Sequence, residues 1–222
     1  MSENILFGTR SQSTYPGVSE GNAVATRHNP RGELVVPDWY TQLVLDGRVF
    51  NVSNAVQETA ANLNETARGT DNVNPVLLLS VPLGTTAIPL EIVIITSGTG
   101  TAEDLTVTIN TDDAARFSSG GAIITPLNMR KDDLVTSACT FYAGSTQIVA
   151  TANTDDDTIY ASRVDSTQIA TPTMPFLDWS ARRFVPPVLF GAASLLVFIV
   201  SATDDHTFFF SVKWAEIPSV SV

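Results

Sequence analysis

The hydrophobic positions of this chain fall into short runs, and most of those runs have the period or the length of β-strands. Leu105, Val107 and Ile109 alternate with Thr106, Thr108 and Asn110, the period-two pattern of a strand with one buried and one solvated face. In Thr207–Ile217, Phe208, Phe210, Val212 and Trp214 share one face, with Phe209, Ser211, Lys213 and Ala215 on the other. Fully burying one Phe or Val is worth about 1.5–3 kcal/mol, so this stripe anchors its strand in a core. Val76–Val81 and Ile88–Ile95 are more continuous apolar runs separated by Pro82-Leu83-Gly84 and read as neighbouring core strands. Further runs lie at Ala122–Thr125, Leu134–Tyr142, Gln147–Ala152, Thr158–Val164 and Leu195–Ala202. The total is about eight to ten short strands with Gly-, Asp- and Asn-rich connections, including a hairpin turn at Gly98–Gly100.

Two stretches break the strand pattern. Val56, Ala60, Leu63 and Ala67 recur at spacings of four, three and four, with Ser53 or Asn54 as cap and Gly69 as stop, which predicts one helix of about four turns. Residues 1–37 show no period and are punctuated by Gly8, Pro16, Gly17, Gly21, Pro30, Gly32 and Pro37. They read as an extended N-terminal arm, followed by a single domain over residues 38–222. Ile5, Leu6, Phe7 and Tyr15 of that arm have no local core to join, so they are candidates for contacts with a neighbouring subunit. Strand–helix alternation is absent, which excludes a parallel α/β fold. The expected architecture is all-β: an antiparallel β-sandwich of jelly-roll type with at most one or two short helices.

Phe184 to Thr203 holds no charged residue and has the length of about 20 residues that crosses a bilayer. Pro186-Pro187, Gly191, Ser194 and Ser201 interrupt it, and its apolar block, Leu195–Val200, has strand length. A strand buried on both faces is the expectation, paired with the aromatic C-terminal strand across Asp204-Asp205-His206, with no transmembrane anchor.

Composition and charge narrow the chemistry. The chain is 44% hydrophobic and 16% charged, which suits a folded globule. Its net charge of −11 repels phosphate backbones, so direct nucleic-acid binding is not expected. Cys139 is the only cysteine, and with His28 and His206 as the only histidines it cannot build a disulfide or a thiolate–imidazole zinc site. A Gly-x-Ser-x-Gly elbow and a phosphate loop are absent. The reading is therefore a protein that is not an enzyme and needs no cofactor. Asp112-Asp113, Asp132-Asp133, Asp155-Asp156-Asp157 and Asp204-Asp205 fall between predicted strands, where Asp is a common turn residue. Only Asp155, Asp156 and Asp157 form a candidate cation site, with calcium as the ion. The first residues, Met1–Gly8, carry an acid where a secretory leader has a basic region, which points to synthesis in a cytoplasm.

The layout of a punctuated arm, a helix, then Pro75-Val76-Leu77-Leu78-Leu79-Ser80-Val81-Pro82-Leu83-Gly84-Thr85-Thr86-Ala87-Ile88-Pro89-Leu90-Glu91 leading into successive antiparallel strands resembles the single jelly-roll viral capsid proteins. The resemblance covers the whole chain in layout. It implies a virion structural subunit, capsid or outer shell, made in the host cytoplasm and self-assembling into a symmetric shell. Its partners would be copies of itself and other virion proteins. One departure is the arm, where Arg10, Arg27 and Arg31 are offset by Glu3, Glu20 and Glu33, unlike the basic arms that package genomes. The alternatives are a phage decoration or tail-associated sandwich and a carbohydrate-binding module. In the module, exposed Trp39, Tyr40, Trp179 or Tyr160 would stack on sugar rings.

Overall fold

The computed structural model describes residues 38–54, 61–62, 73–96, 105–132, 135–143, 147–153, 157–164, 177–200 and 207–218. The chain divides into two compact units, Met1–Gln42 and Leu43–Val222; of the first, residues 38–42 are described. Helix α1 (Trp39–Leu45) begins where Asp38 accepts the Thr41 amide at 3.0 Å and the Thr41 hydroxyl at 2.8 Å, an N-cap that satisfies an otherwise orphan donor. It stops at Gly47, whose positive φ lets the Gly47 and Arg48 amides reach back to the Val44 and Leu43 carbonyls. The sequence reading had no helix here.

The strands that follow are β1 (Val49–Ser53), β2 (Ala61–Asn62), β3 (Leu77–Val81), β4 (Thr85–Thr96), β5 (Leu105–Asp112), β6 (Phe117–Ser119), β7 (Ala122–Ile124) and β8 (Leu127–Asn128). They continue with β9 (Thr140–Ala143), β10 (Val149–Ala150), β11 (Asp157–Val164), β12 (Leu177–Ser180), β13 (Leu189–Phe190), β14 (Ala193–Val200) and β15 (Thr207–Pro218). One sheet runs β12-β4-β15-β1-β8, with β13 also on β4 and β2 also on β15. The other runs β11-β5-β14-β3-β9-β7, and β10-β6 form a separate pair. Every pairing in the two large sheets is antiparallel.

The pairing is nested. Of the principal strands β1, β3, β4, β5, β11, β12, β14 and β15, the first pairs with the last, the second with the next to last, and so inward: β1 with β15, β3 with β14, β4 with β12, β5 with β11. Each sheet is then completed by one further contact, β4 with β15 and β5 with β14. The result is a two-layer antiparallel β-sandwich. Its core is drawn from both layers: Phe50, Ile92, Ile94, Trp179, Phe208, Phe210 and Trp214 from one, Leu77, Leu79, Val107, Ile109, Phe141, Leu195 and Val197 from the other. The Phe141 ring lies 5.9 Å from Phe210 and 6.0 Å from Trp214, so aromatic contacts cross between the layers.

Several expectations are corrected. Val76–Val81 and Ile88–Ile95 are not sheet neighbours, because Pro82-Leu83-Gly84 carries the chain from one layer to the other. The twelve-residue β4 gains a ladder along the whole of β15, far more than the five-residue β3 could supply. β4 and β5 also lie in different sheets, so the segment around Gly98–Gly100 does not join a paired hairpin. The run Leu134–Tyr142 contributes only its end to a strand, β9, and Gln147–Ala152 only β10. Residues 61–62, inside the predicted Val56–Ala67 helix, are extended and pair with Phe208 and Thr207. Asn and Thr are weak helix formers, and β15 offers them a ladder; the rest of that segment lies outside the described residues.

Leu195–Val200 is a central strand, as expected, but its partners are β3 and β5 and not β15. The run is apolar on both faces because both are covered. Leu195, Val197 and Ile199 enter the inter-sheet core, while Leu196 and Phe198 join Leu78, Ile148 and Ala150 beneath the stacked rings of Phe117 and Tyr142, 3.7 Å apart. No helix among the described residues is long and apolar enough to cross a membrane.

Candidate functional site

Two buried carboxylates dominate the polar interior. Asp112, at the end of β5, accepts the Arg116 guanidinium and the Asn153 amide, both at 2.6 Å, and the Ala114 backbone N–H at 2.9 Å. Arg116 also donates from Nε to the Thr151 carbonyl at 2.5 Å, and its backbone N–H reaches the Ser194 hydroxyl at 3.0 Å. Burial pushes the Asp112 carboxyl upward, but the hydrogen bonds from Arg116, Asn153 and Ala114 and the Arg116 charge outweigh it. The carboxyl is held below its ordinary value. This corrects the reading of Asp112 as a turn residue between strands, since it is the buried last residue of β5; Asp113 beside it is exposed. The network closes the β5–β6 connection against β14, with both charged side chains almost wholly buried.

Glu216, on β15, is the second. It accepts Trp214 Nε1 at 2.7 Å, the Ala138 N–H at 2.8 Å, the Cys139 N–H at 3.4 Å and the Ser137 hydroxyl. Neutral donors therefore satisfy the carboxylate, as a buried charge requires. Cys139 lies against it. Burial first, then the Glu216 charge and its hydrogen bonding, push the Cys139 thiol far above its usual range. The thiolate is the nucleophile, so Cys139 is inert. Native protein treated with iodoacetamide at pH 8 should stay unlabelled over an hour and label fully in guanidinium; rapid native labelling would contradict the buried placement.

Most of the sequence-based site residues fall outside the described residues. Ile5, Leu6, Phe7 and Tyr15 lie outside the described residues, as do Asp155, Asp156, His28 and His206. Asp157 opens β11, exposed, opposite Thr111. Among the described residues no three His, Cys, Asp or Glu side chains are grouped to hold a metal ion. The sugar-stacking set is corrected at Trp179, which is 1% exposed: its position on β12 opposite Ile92 turns it into the core. Tyr160 is half-buried against Phe184, ring centroids 5.5 Å apart. Trp39 is exposed and meets the edge of the half-buried Tyr40.

What the surface does offer is apolar. Segment 181–190 follows β12 and runs along β4, from Ala181 bonded to Leu90 O to Phe190 opposite Thr86. Gly191 then packs on the β3–β4 turn so closely that a side chain there would overlap the Pro82 carbonyl. Leu83 and Val185 project 80% and 93% exposed, and Phe190 66%. Val188 and Phe184 add to them, the latter stacked on Trp179. Monomeric proteins rarely leave such side chains together in water, and those that do use them for contact. This patch is the candidate functional site. Sequence reasoning missed it, although the uncharged stretch Phe184–Phe190 beside Pro186-Pro187 was its signal. No family model, curated protein or solved structure matches the chain.

Proposed function

We propose that this protein is a virion structural subunit, capsid or outer shell, whose biochemical act is symmetric self-association, and that its sandwich is a jelly roll. The observation that carries the reading is the nested strand pairing, β1–β15, β3–β14, β4–β12 and β5–β11, distributed over two sheets. That is the order produced when one long antiparallel hairpin is rolled into two layers, the architecture used by many viral coat domains. The exposed apolar loops support association. The arm, with Ile5, Leu6, Phe7 and Tyr15, would add contacts between subunits within the virion after synthesis in the host cytoplasm. Net charge gives the association a signature. Subunits of charge −11 repel, and raising salt from 0.1 to 1 M shortens the screening length from about 10 to about 3 Å.

Purified full-length protein should therefore form discrete symmetric oligomers without any partner, more completely in 1 M than in 0.1 M NaCl, seen by light scattering and electron microscopy. A chain that stays monomeric at high concentration in both salts would overturn the reading. A decoration protein would behave that way until its host lattice was added.

A further inference from the structure

The exposed apolar side chains of segment 184–190 share one side. Val188 and Phe190 are 50% and 66% exposed, while Leu189 between them is 5% exposed and enters the inter-sheet core. That is the alternation of an extended chain with one face turned outward. Pro186 and Pro187 hold the preceding residues near the polyproline conformation, whose three residues per turn bring Val185 round to the side of Val188. Both prolines are half-buried and Val185 is 93% exposed, in agreement with that period. Phe184 closes one end of the strip, stacked on Trp179. Leu83 flanks the other end, because Gly191, next to Phe190, lies against Pro82, next to Leu83.

Charge is kept off this strip. The two stretches that build it, 75–90 and 184–203, hold no Asp, Glu, Lys or Arg, in a chain of net charge −11. Beside Phe184, Arg183 is paired with Asp178 at 2.9 Å. Two copies can therefore meet along the strip without setting like charges against each other.

We infer that the strip packs against the same strip of a second copy across a two-fold axis, with Val188 nearest the axis. The inference rests on the self-associating reading above and names one of its contacts. A two-fold contact needs a surface that complements itself, and an uncharged apolar strip meets that condition. Area then selects the occupant. At about 32 Å² per aliphatic carbon and about 200 Å² per Phe ring, the exposed fractions of Leu83, Phe184, Val185, Val188 and Phe190 amount to about 450 Å² of apolar surface. Two strips bring about 900 Å². A standard interface buries about 1,600 Å², of which about 900 Å² is apolar. The strip and its own copy thus supply the apolar area of a stable dimer with no further apolar surface. Val188 falls midway between the Phe184–Val185 end and the Phe190–Leu83 end, which places it at the axis when the two strips run antiparallel.

The test uses full-length Val188→Cys. Cys139 is the only native cysteine and is buried, so the new thiol reacts against a silent background. A residue at a two-fold axis meets its own copy. Mild oxidation with copper phenanthroline at micromolar protein should therefore give a disulfide-linked dimer of twice 23.7 kDa on a non-reducing gel, with circular dichroism matching the wild type. Adding Val185→Asp to the same chain should lower the yield by about tenfold or more, because each dimer would then bury two unpaired carboxylates. Sedimentation velocity of the wild type in the same buffer separates the two readings. A wild type that oligomerises while Val188→Cys gives no covalent dimer would overturn the two-fold contact and leave self-association standing. A bridge whose yield Val185→Asp does not reduce comes from random collision and overturns the contact as well. A monomeric wild type with no bridge overturns both.

Discussion

Trp214→Ala should lower the unfolding free energy by about 3–5 kcal/mol, the range for deleting a large aromatic from a packed core. Trp214 is fully buried on β15, the strand shared by β4 and β1 at the middle of its sheet. Its ring lies 6.3 Å from Phe50 in its own layer and 6.0 Å from Phe141 across the core, so truncation opens a cavity that neither layer can close alone. The indole also donates to Glu216 at 2.7 Å. Trp214→Phe keeps most of the volume and loses that donor, which should cost about 1–3 kcal/mol for the under-satisfied buried carboxylate. Urea unfolding at low protein concentration keeps any association out of the equilibrium. A loss below about 1 kcal/mol for the Ala variant would contradict the central placement of β15.

Arg116→Met should be comparably damaging, about 3–5 kcal/mol at pH 7, because it leaves Asp112 charged and buried without its cation. Adding Asp112→Ala should recover part of that loss, since the stranded charge goes with it. The pH dependence carries the sign of the interaction. In the wild type the Asp112 carboxyl sits below its unfolded value. Its contribution is therefore complete above the unfolded value of about 4 and fades as pH falls through the folded one. In Arg116→Met, burial without the cation raises the carboxyl, so acidification relieves that variant. The gap in urea midpoint between wild type and Arg116→Met should narrow from pH 7 to pH 4. A gap that widens on acidification would show that Arg116 does not hold Asp112 ionised.

The sequence carried the strands better than their partners. Phe208, Phe210, Val212 and Trp214 alternate because one side of β15 faces the core, and Leu195–Val200 is continuous because both sides of β14 are covered; such patterns are local and legible. Whether β14 pairs with β15 or with β3 and β5 depends on which long strands are available to one another, and nothing near Leu195 encodes that. The Asp38 cap and the Gly47 stop were present as residue types, but seven helical residues are too few to show a period. Arg116 and Glu216 look like surface charges in sequence, and burial reverses that only once Asn153, Ser137 and Ala138 arrive from far along the chain. Of the candidate surface, the uncharged stretch after Arg183 was visible. Its convergence with Leu83 requires the Gly191–Pro82 contact.

The nested pairing also sets when the sandwich can exist. β1, among the earliest strands, has β15 as its main partner, and β4 is flanked by β15 along its whole length. Both therefore remain unpaired on that side until residues 207–218 have been synthesised. Contacts between such distant segments make folding slow, typically milliseconds to seconds, and expose strand edges meanwhile. A partly made chain thus has every strand of one layer but lacks the strand that joins β4 to β1 in the other. The late arrival of β15 acts as a timer: the layer built on β4 and β1 closes only once that strand has been made.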